Sequence, residues 1–410
     1  MDCIILGGGA SGLAAACALT RAGAETAIVE RLDRVGKKLL STGNGRCNLS
    51  NLDMDAARFG AAAPFVSRVF EATPPGEVMR FWEGLGLMTS CEEGRVYPRT
   101  MAASSVLDVL RAGCGGARLL TSCEAVALRP CRRGGLSVTL ADGQTLSAPA
   151  VLAAMGGSAA PHLGTDGAGA RLLEQLGHSV TQLTPALVQL RCEHPALRAL
   201  KGLRTQAALT LVIDGEAAAC ETGELLFADY GVSGVCVFQL SGLAAQALDQ
   251  GRRVRLLVNL LPDVPTDDLP GWLDARIAQF PDRGAQALMT GVLPRLLAQS
   301  VLRQAQLSPD TPAASLTARE RAALLAALSA LPLRVTGTQG FRSAQVTRGG
   351  AALDEVEPGT MRSRLFDGLY LAGELLDVDG PCGGYNLHFA AASGLTAAKA
   401  ILAQLRRQKG

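Results

Sequence analysis

Very little in this chain is extreme, and the absences narrow its class. Net charge is nearly nil: 39 Lys and Arg stand against 37 Asp and Glu, leaving +2 and a pI near 8.0. That balance supplies no electrostatic footprint for nucleic acid or a membrane surface. The short basic runs 129–133, 252–255 and 406–409 read as solvated surface. No uninterrupted apolar run is long enough to span a bilayer. A strand pattern starts at the second residue and leaves no room for a secretory signal, so a cytoplasmic location is expected. The 11 cysteines are odd in number, scattered and never spaced CxxC, which argues against a redox dithiol or a zinc ribbon and for buried or free thiols in a reducing compartment. No metal site, membrane association or stable protein partner is expected, and no fixed-period repeat is present. What remains is a globular chain of 410 residues, 48% hydrophobic, with material for a sizeable core and two or three domains.

The most informative feature that is present lies at the N-terminus. An apolar strand, Cys3-Ile4-Ile5-Leu6, runs into Gly7-Gly8-Gly9-Ala10-Ser11-Gly12, then an Ala-rich helix, then the strand Thr26-Ala27-Ile28-Val29 ending on Glu30. This is a dinucleotide-binding βαβ unit. Gly7 permits the tight turn, Gly9 lets backbone approach a pyrophosphate, Gly12 allows close helix packing, and Glu30 is placed to bind a ribose hydroxyl. The helix start offers free N–H groups and a positive dipole end to phosphate.

Beyond Glu30, the glycine-punctuated stretch 35–48 has little regular-structure signal but many groups able to contact a ligand. Arg46 offers a fork of donors there. Segments 65–86 and 103–113 have helical spacing, and 117–147 reads as a β-meander broken at Gly134-Gly135 and Asp142-Gly143. The strand 150–154 enters Met155-Gly156-Gly157, a second place where the chain can pass close to a bound dinucleotide. From about Leu183 to Leu261 the pattern is of strands, with Asp214-Gly215 as the best hairpin turn, whereas 266–331 is helical and punctuated by proline. The final 70 residues return to the first style. A buried-strand pattern ends on Gly373-Glu374, and Gly383-Gly384-Tyr385-Asn386 opens a helix reaching about Leu405, an arrangement suited to a flavin's sugar chain and ring.

These segments, taken in order, resemble the bacterial flavoproteins of the BaiN/RdsA type, NAD(P)/FAD-dependent oxidoreductases also described as aminoacetone-oxidase-like. The resemblance rests on GGGASG at the start, KKLLSTGNGRCNLSN at 37–51, VYPRTMAASSVLDVLR at 96–111, TPALVQL at 184–190, ELLFADYGVSG at 224–234, VTGTQGFRSAQVTRGG at 335–350 and LYLAGELLDVDGPCGGYNLHFAAASG at 369–394. It implies an α/β fold, a Rossmann-like FAD-binding domain of the GR2 type with an inserted β-barrel domain and a helical subdomain. The corresponding boundaries are 1–182, 183–262, 263–332 and 333–410, the last returning through a barrel edge to the FAD-binding domain.

Carried over by position, the resemblance places Gly7, Gly9, Ala10, Ser11, Gly12, Glu30 and Arg31 at the ADP half of FAD, with Val126 touching adenine through its backbone. Lys38, Leu39, Gly43, Asn44, Gly45, Arg46, Cys47 and Asn48, with Met155, Gly156 and Gly157, line the cofactor. Gly373, Glu374, Gly384, Tyr385 and Asn386 surround the ribityl chain and ring, and Asp379 is a further cofactor-binding position. The chain departs from the family at Asp229, where His is usual, at Met155, where Thr is usual, at Cys382, where Thr or another small polar residue is usual, and at His388, where Gln is common.

No second strand-GxGxxG-helix unit exists for a nicotinamide, since 164–169 has its residues in the wrong order, so NAD(P)H is expected to bind transiently. The expected activity is NAD(P)H-driven reduction of an activated C=C bond. By resemblance the acceptor is a steroid-like acid or a uridine in ribosomal RNA, and the sequence leaves small molecule and RNA open. An FAD-dependent amine oxidase using oxygen and a non-catalytic flavin-binding protein are the alternatives. Addition of hydride to C=C needs a proton donor, for which Tyr230, Asp229, His388, Cys47 and Tyr385 are the candidates.

Overall fold

The structure is a computed structural model describing residues 1–132 and 134–409, the last through its backbone only. Arg133, part of the first basic run, lies outside the described residues, as does Gly410. The chain divides into two compact units, Met1–Thr184 with Gln345–Gly410, and Pro185–Ala344.

The first unit is built on a seven-stranded sheet. Its elements are β1 (Cys3–Leu6), α1 (Ala10–Arg21), β2 (Thr26–Val29), β3 (Arg118–Leu120), β4 (Ala150–Ala153), β5 (Val356–Glu357), β6 (Arg362–Ser363), β7 (Leu369–Leu371) and the long closing helix α2 (Tyr385–Lys409). The strand order is β5-β6-β7-β4-β1-β2-β3. From β7 to β3 all neighbours run parallel. Every residue of β1, β2, β4 and β7 is buried, which explains why these strands read as unbroken apolar runs rather than as alternation. Cys3 stands opposite both Thr26 and Ala150, and Leu6 opposite both Val29 and Ala153. The three central strands therefore end level, and the segments that follow them share one crevice at the carboxyl edge of the sheet.

Two close backbone passages fix that edge. Gly7 has φ +104°, and a Cβ there would stand 2.4 Å from the Ala154 carbonyl oxygen. A Cβ on Gly12 would stand 2.1 Å from the Gly7 carbonyl oxygen. Helix α1 thus begins directly against its own turn, as only glycine permits.

Elsewhere in this unit the structure refines the sequence pattern. The helical stretch 65–86 is two helices, Ala63–Ala72 and Pro75–Gly84, because Pro74-Pro75 cannot continue the first but suits the start of the second. The meander is confined to Ala125–Pro130, Leu136–Leu140 and Thr145–Ala148, while the preceding run joins the main sheet as β3. The stretch 35–48 contains a short helix, Lys37–Ser41, and a tight turn, Thr42–Gly45.

In the second unit, strands Leu190–Glu193, Gly231–Ser233, Glu216–Ala228, Arg204–Ile213, Val254–Asn259 and Leu331–Thr338 close into a barrel in that order. The hairpin between Ile213 and Glu216 turns at Asp214-Gly215. Residues 235–249, expected as strand, instead form a helix that buries Cys236, Val237, Leu240, Ser241, Ala244, Ala245 and Ala247, the three-and-four spacing of a core-facing helix. Helices Leu269–Gln279, Arg295–Gln304 and Ala318–Ser329 occupy the proline-punctuated stretch.

The two glycines of the opening turn predict opposite outcomes. Gly12→Ala is expected to destabilise the apoprotein by about 1–3 kcal/mol through overpacking. Gly9→Ala, where a Cβ would meet nothing within 4 Å, should change stability by less than about 1 kcal/mol. Urea unfolding followed by far-UV circular dichroism separates them.

Candidate cofactor and active site

At the carboxyl edge of the sheet, the first turn of α1 receives no side-chain cap. Its backbone N–H groups are left for a ligand, and Gly9 faces open space beside them. Glu30 is only 9% exposed. One carboxylate oxygen accepts the Gly8 N–H at 2.9 Å and the other the Leu32 N–H at 2.8 Å. A carboxylate has about four lone-pair sites, so each oxygen keeps one for a sugar hydroxyl. A small cleft opens here, lined by Glu30, Arg31, Glu124, Met155 and Asp166 among others. Arg31 reaches across it to Asp166 at 2.6 Å. Burial alone would raise the Asp166 carboxyl, but hydrogen bonds from Arg31 and the Ala168 N–H hold it below the usual range. Val126 falls in a β-bulge, where the pairing of Ala125 and Ala127 shifts register, so its backbone stands out of the regular ladder.

The 37–51 stretch supplies a second group of contacts. Gly43, Asn44 and Gly45 are successively left-handed, and Cys47 is as well. Arg46 stacks over the Tyr97 ring at 4.7 Å and lies 3.2 Å from Glu92, a pair about half exposed and therefore weak. Leu39 is buried beneath. The Asn48 amide, oriented by its neighbours, donates to the Ser50 carbonyl at 2.8 Å and accepts the Gly384 N–H at 3.2 Å. Lys38 Nζ sits 2.7 and 3.0 Å from the two Glu374 oxygens. Two residues 336 apart in sequence are thereby joined.

At the start of α2, Gly384 has φ +98°, and a Cβ would stand 2.3 Å from the Ser50 carbonyl oxygen. Asn386 does not point outward: its amide accepts the Gly380 N–H and donates to the Gly380 carbonyl, both at 2.8 Å, stapling the 380–384 loop. Gly373 donates its N–H to Ser393 Oγ at 3.0 Å beside Ser11. Asp379 is gripped by Arg348 through contacts of 2.9 to 3.2 Å.

The proton-donor candidates differ sharply in surroundings. His388 is fully buried, with Nδ1 2.9 Å from Ser50 Oγ and its ring edge-on to Phe70. Burial pushes its pKa down to about 4, so it is neutral at pH 7. Cys47 is also fully buried, and burial pushes its thiol up to about 11. The Tyr385 phenol is raised by burial and donates to the Asp53 carbonyl at 3.3 Å. In the second unit, Asp229 is an exposed carboxylate paired with Lys201 at 2.6 Å, and that bond holds it below the usual range. The half-buried Tyr230 phenol is raised by burial and stays protonated at neutral pH. Among the described residues no group of three or more His, Cys, Asp or Glu is placed to hold a metal ion.

Sequence reasoning missed Asp166, Thr347 and Arg348. Each acts on a residue 27 or more positions away, and no local pattern in 345–350 points to those partners.

The residues present fit FAD. Uncapped N–H groups beside an open glycine suit the pyrophosphate, the half-satisfied Glu30 suits the adenosine ribose, and the Lys38–Glu374 and Gly383-Gly384 region suits the ribityl and ring end. Bound there, the flavin supplies two-electron acceptance and return.

A helix end open to phosphate and a strand-end carboxylate open to ribose occur together in dinucleotide binding, and the second glycine-led helix extends the site for a flavin. The class so defined is the Rossmann-type flavin oxidoreductase. The family model for the HI0933-like protein Rossmann domain matches residues 1–400, and the chain belongs to that family, the FAD-dependent oxidoreductases of BaiN/RdsA type. The 3-dehydro-bile acid delta(4,6)-reductase of Clostridium scindens is 38% identical over 97% of this chain and 98% of its own length. The ribosomal RNA dihydrouridine synthase of Escherichia coli is 28% identical over 98% of both chains. A solved structure of E. coli quinol fumarate reductase FrdA superposes with a TM-score of 0.52 at 14% identity, covering 99% of this chain and 70% of that one, a likeness of fold.

The buried imidazole makes stability depend on pH in a defined sense. With the His388 pKa at about 4 in the folded chain against an ordinary 6.5, the unfolded state binds the extra proton between those values. Its contribution is therefore complete above pH 6.5 and is lost as pH falls toward 4, amounting to about 3 kcal/mol. His388→Gln should flatten that acid limb, as read from urea midpoints at pH 7.5 and pH 5.

Proposed function

We propose that this protein is an NAD(P)H-driven, FAD-dependent reductase of an activated C=C bond in a steroid-like acid. The observation that carries the reading is the 38% identity, over nearly the full length of both chains, to a protein named 3-dehydro-bile acid delta(4,6)-reductase, against 28% and 26% for two named ribosomal RNA dihydrouridine synthases. The near-zero net charge also favours a small acceptor over RNA. The domain division at 183, 263 and 333, with the barrel and helices as an insertion, belongs to this reading, as do a cytoplasmic setting and action without a stable protein partner. Among the described residues no helix is long and apolar enough to cross a membrane.

In this reading the chain's own groups divide the work. The α1 start, Glu30 and the Lys38–Glu374 pair bind and orient FAD, and the carbon next to the one that receives hydride needs a proton, for which Tyr230 is the candidate. A phenol, protonated at neutral pH, suits that role better than the ionised Asp229, and better than His388 and Cys47, which are sealed in the core.

Anaerobic titration with NADPH and then NADH should bleach the flavin absorbance, and a 3-oxo-Δ4 steroid acid should restore it. Restoration by a uridine-containing ribosomal RNA fragment instead would transfer the reading to RNA. Failure to bleach, with peroxide formed from an amine, would replace it with amine oxidation. Tyr230→Phe is expected to leave flavin reduction unchanged and to slow reoxidation by the steroid about 10²-fold, a split measured by stopped-flow of the two half-reactions.

A further inference from the structure

Thr347 is fully buried in the short strand Val346–Arg348. Its hydroxyl oxygen accepts two backbone N–H groups, from Ser158 at 2.8 Å and Ala159 at 2.9 Å. Its own backbone N–H donates to one Glu374 carboxylate oxygen at 3.0 Å. That oxygen also receives Lys38 Nζ at 3.0 Å, while the other receives it at 2.7 Å. Gly157 passes so close that a Cβ there would stand 2.4 Å from Thr347 Oγ1 and 3.1 Å from Glu374. One threonine therefore ties together the turn after β4, the carboxylate after β7 and, through that carboxylate, the lysine that follows β2.

We propose that Thr347 is a positioning residue of the cofactor site, a clasp that fixes the Gly156-Gly157 turn and Glu374 relative to each other before FAD arrives. The hydroxyl uses both of its acceptor sites on the turn. Removing it would strand two buried N–H groups, which the turn could satisfy only by moving toward water. The turn and Glu374 would then have to be ordered at the expense of binding, whereas the intact clasp holds them in advance. A hydroxyl serving packing alone would lower stability without touching FAD affinity, because Gly157 and Glu374 would keep their places. The inference rests on FAD as cofactor and is independent of the substrate, so failure of the steroid reading leaves it standing.

The test is FAD binding to apoprotein, followed by quenching of flavin fluorescence. Thr347→Val, nearly isosteric but without an acceptor, should weaken binding on the order of tenfold, since binding must then re-order a turn whose two N–H groups have lost their acceptor. Thr347→Ser, which keeps the oxygen, should restore wild-type affinity. Wild-type affinity in Thr347→Val, with or without a fall in its thermal midpoint, would overturn the proposal. Should that variant not fold, Lys38→Met opens the clasp at its partly exposed end and must also weaken FAD binding, and an unchanged dissociation constant there would overturn it equally. Where both variants fold, the double variant should lose less than the product of the single effects, because the two residues act through one carboxylate. A full product would mean that they act separately.

Discussion

Everything at the cofactor edge of the first unit depends on how one buried carboxylate is satisfied. Glu30 accepts N–H groups from the turn after β1 and from its own downstream loop, while its backbone N–H donates to Leu120 at 2.8 Å and its carbonyl accepts from Cys123 at 3.0 Å. A lone charge at that depth would be strongly disfavoured. Surrounded by backbone donors it becomes the pin that holds the ends of β1, β2 and β3 in register. The same bonds leave lone pairs directed at the crevice, so one side chain both closes the sheet edge and remains able to meet a sugar.

The remote contacts repeat the logic with paired charges. Lys38 with Glu374 and Arg348 with Asp379 each compensate a carboxylate that would otherwise face a half-buried site alone. Neither pair is a strong argument for stability, since desolvation offsets much of the attraction. Their contribution is geometric: the first joins a segment near one end of the chain to a segment near the other, and the second ties two segments 31 residues apart within the last part of the chain.

What the sequence makes legible follows from how local each signal is. The βαβ unit, the buried strand 150–153 and the glycine-led closing helix all announce themselves within about 30 residues, the span of one such unit. Glu30 was readable because an acid ending the second strand has a fixed relation to the glycines. Thr347 was not, because its meaning lies in the N–H groups of Ser158 and Ala159 and nothing in QVTRGG points to them. Asn386 was legible as part of a motif, but its direction was not, since only the folded loop shows that it staples Gly380. Helix 235–249 was misread because its apolar and small residues also satisfy a strand pattern over short windows, and only burial at three-and-four spacing settles the period.

The strand order also governs how this protein can be made. β4 sits between β1 and β7, yet β7 is formed by residues 369–371. While the ribosome translates the 215 residues between Ala153 and Leu369, the Ala-Val-Leu-Ala strand has one hydrogen-bonding edge without its native neighbour. It is an apolar edge of the kind that recruits foreign strands. The nascent chain must therefore shelter half of a nucleotide-binding sheet throughout synthesis of the whole second unit, and the late arrival of Leu369–Leu371 marks the moment when that exposure ends.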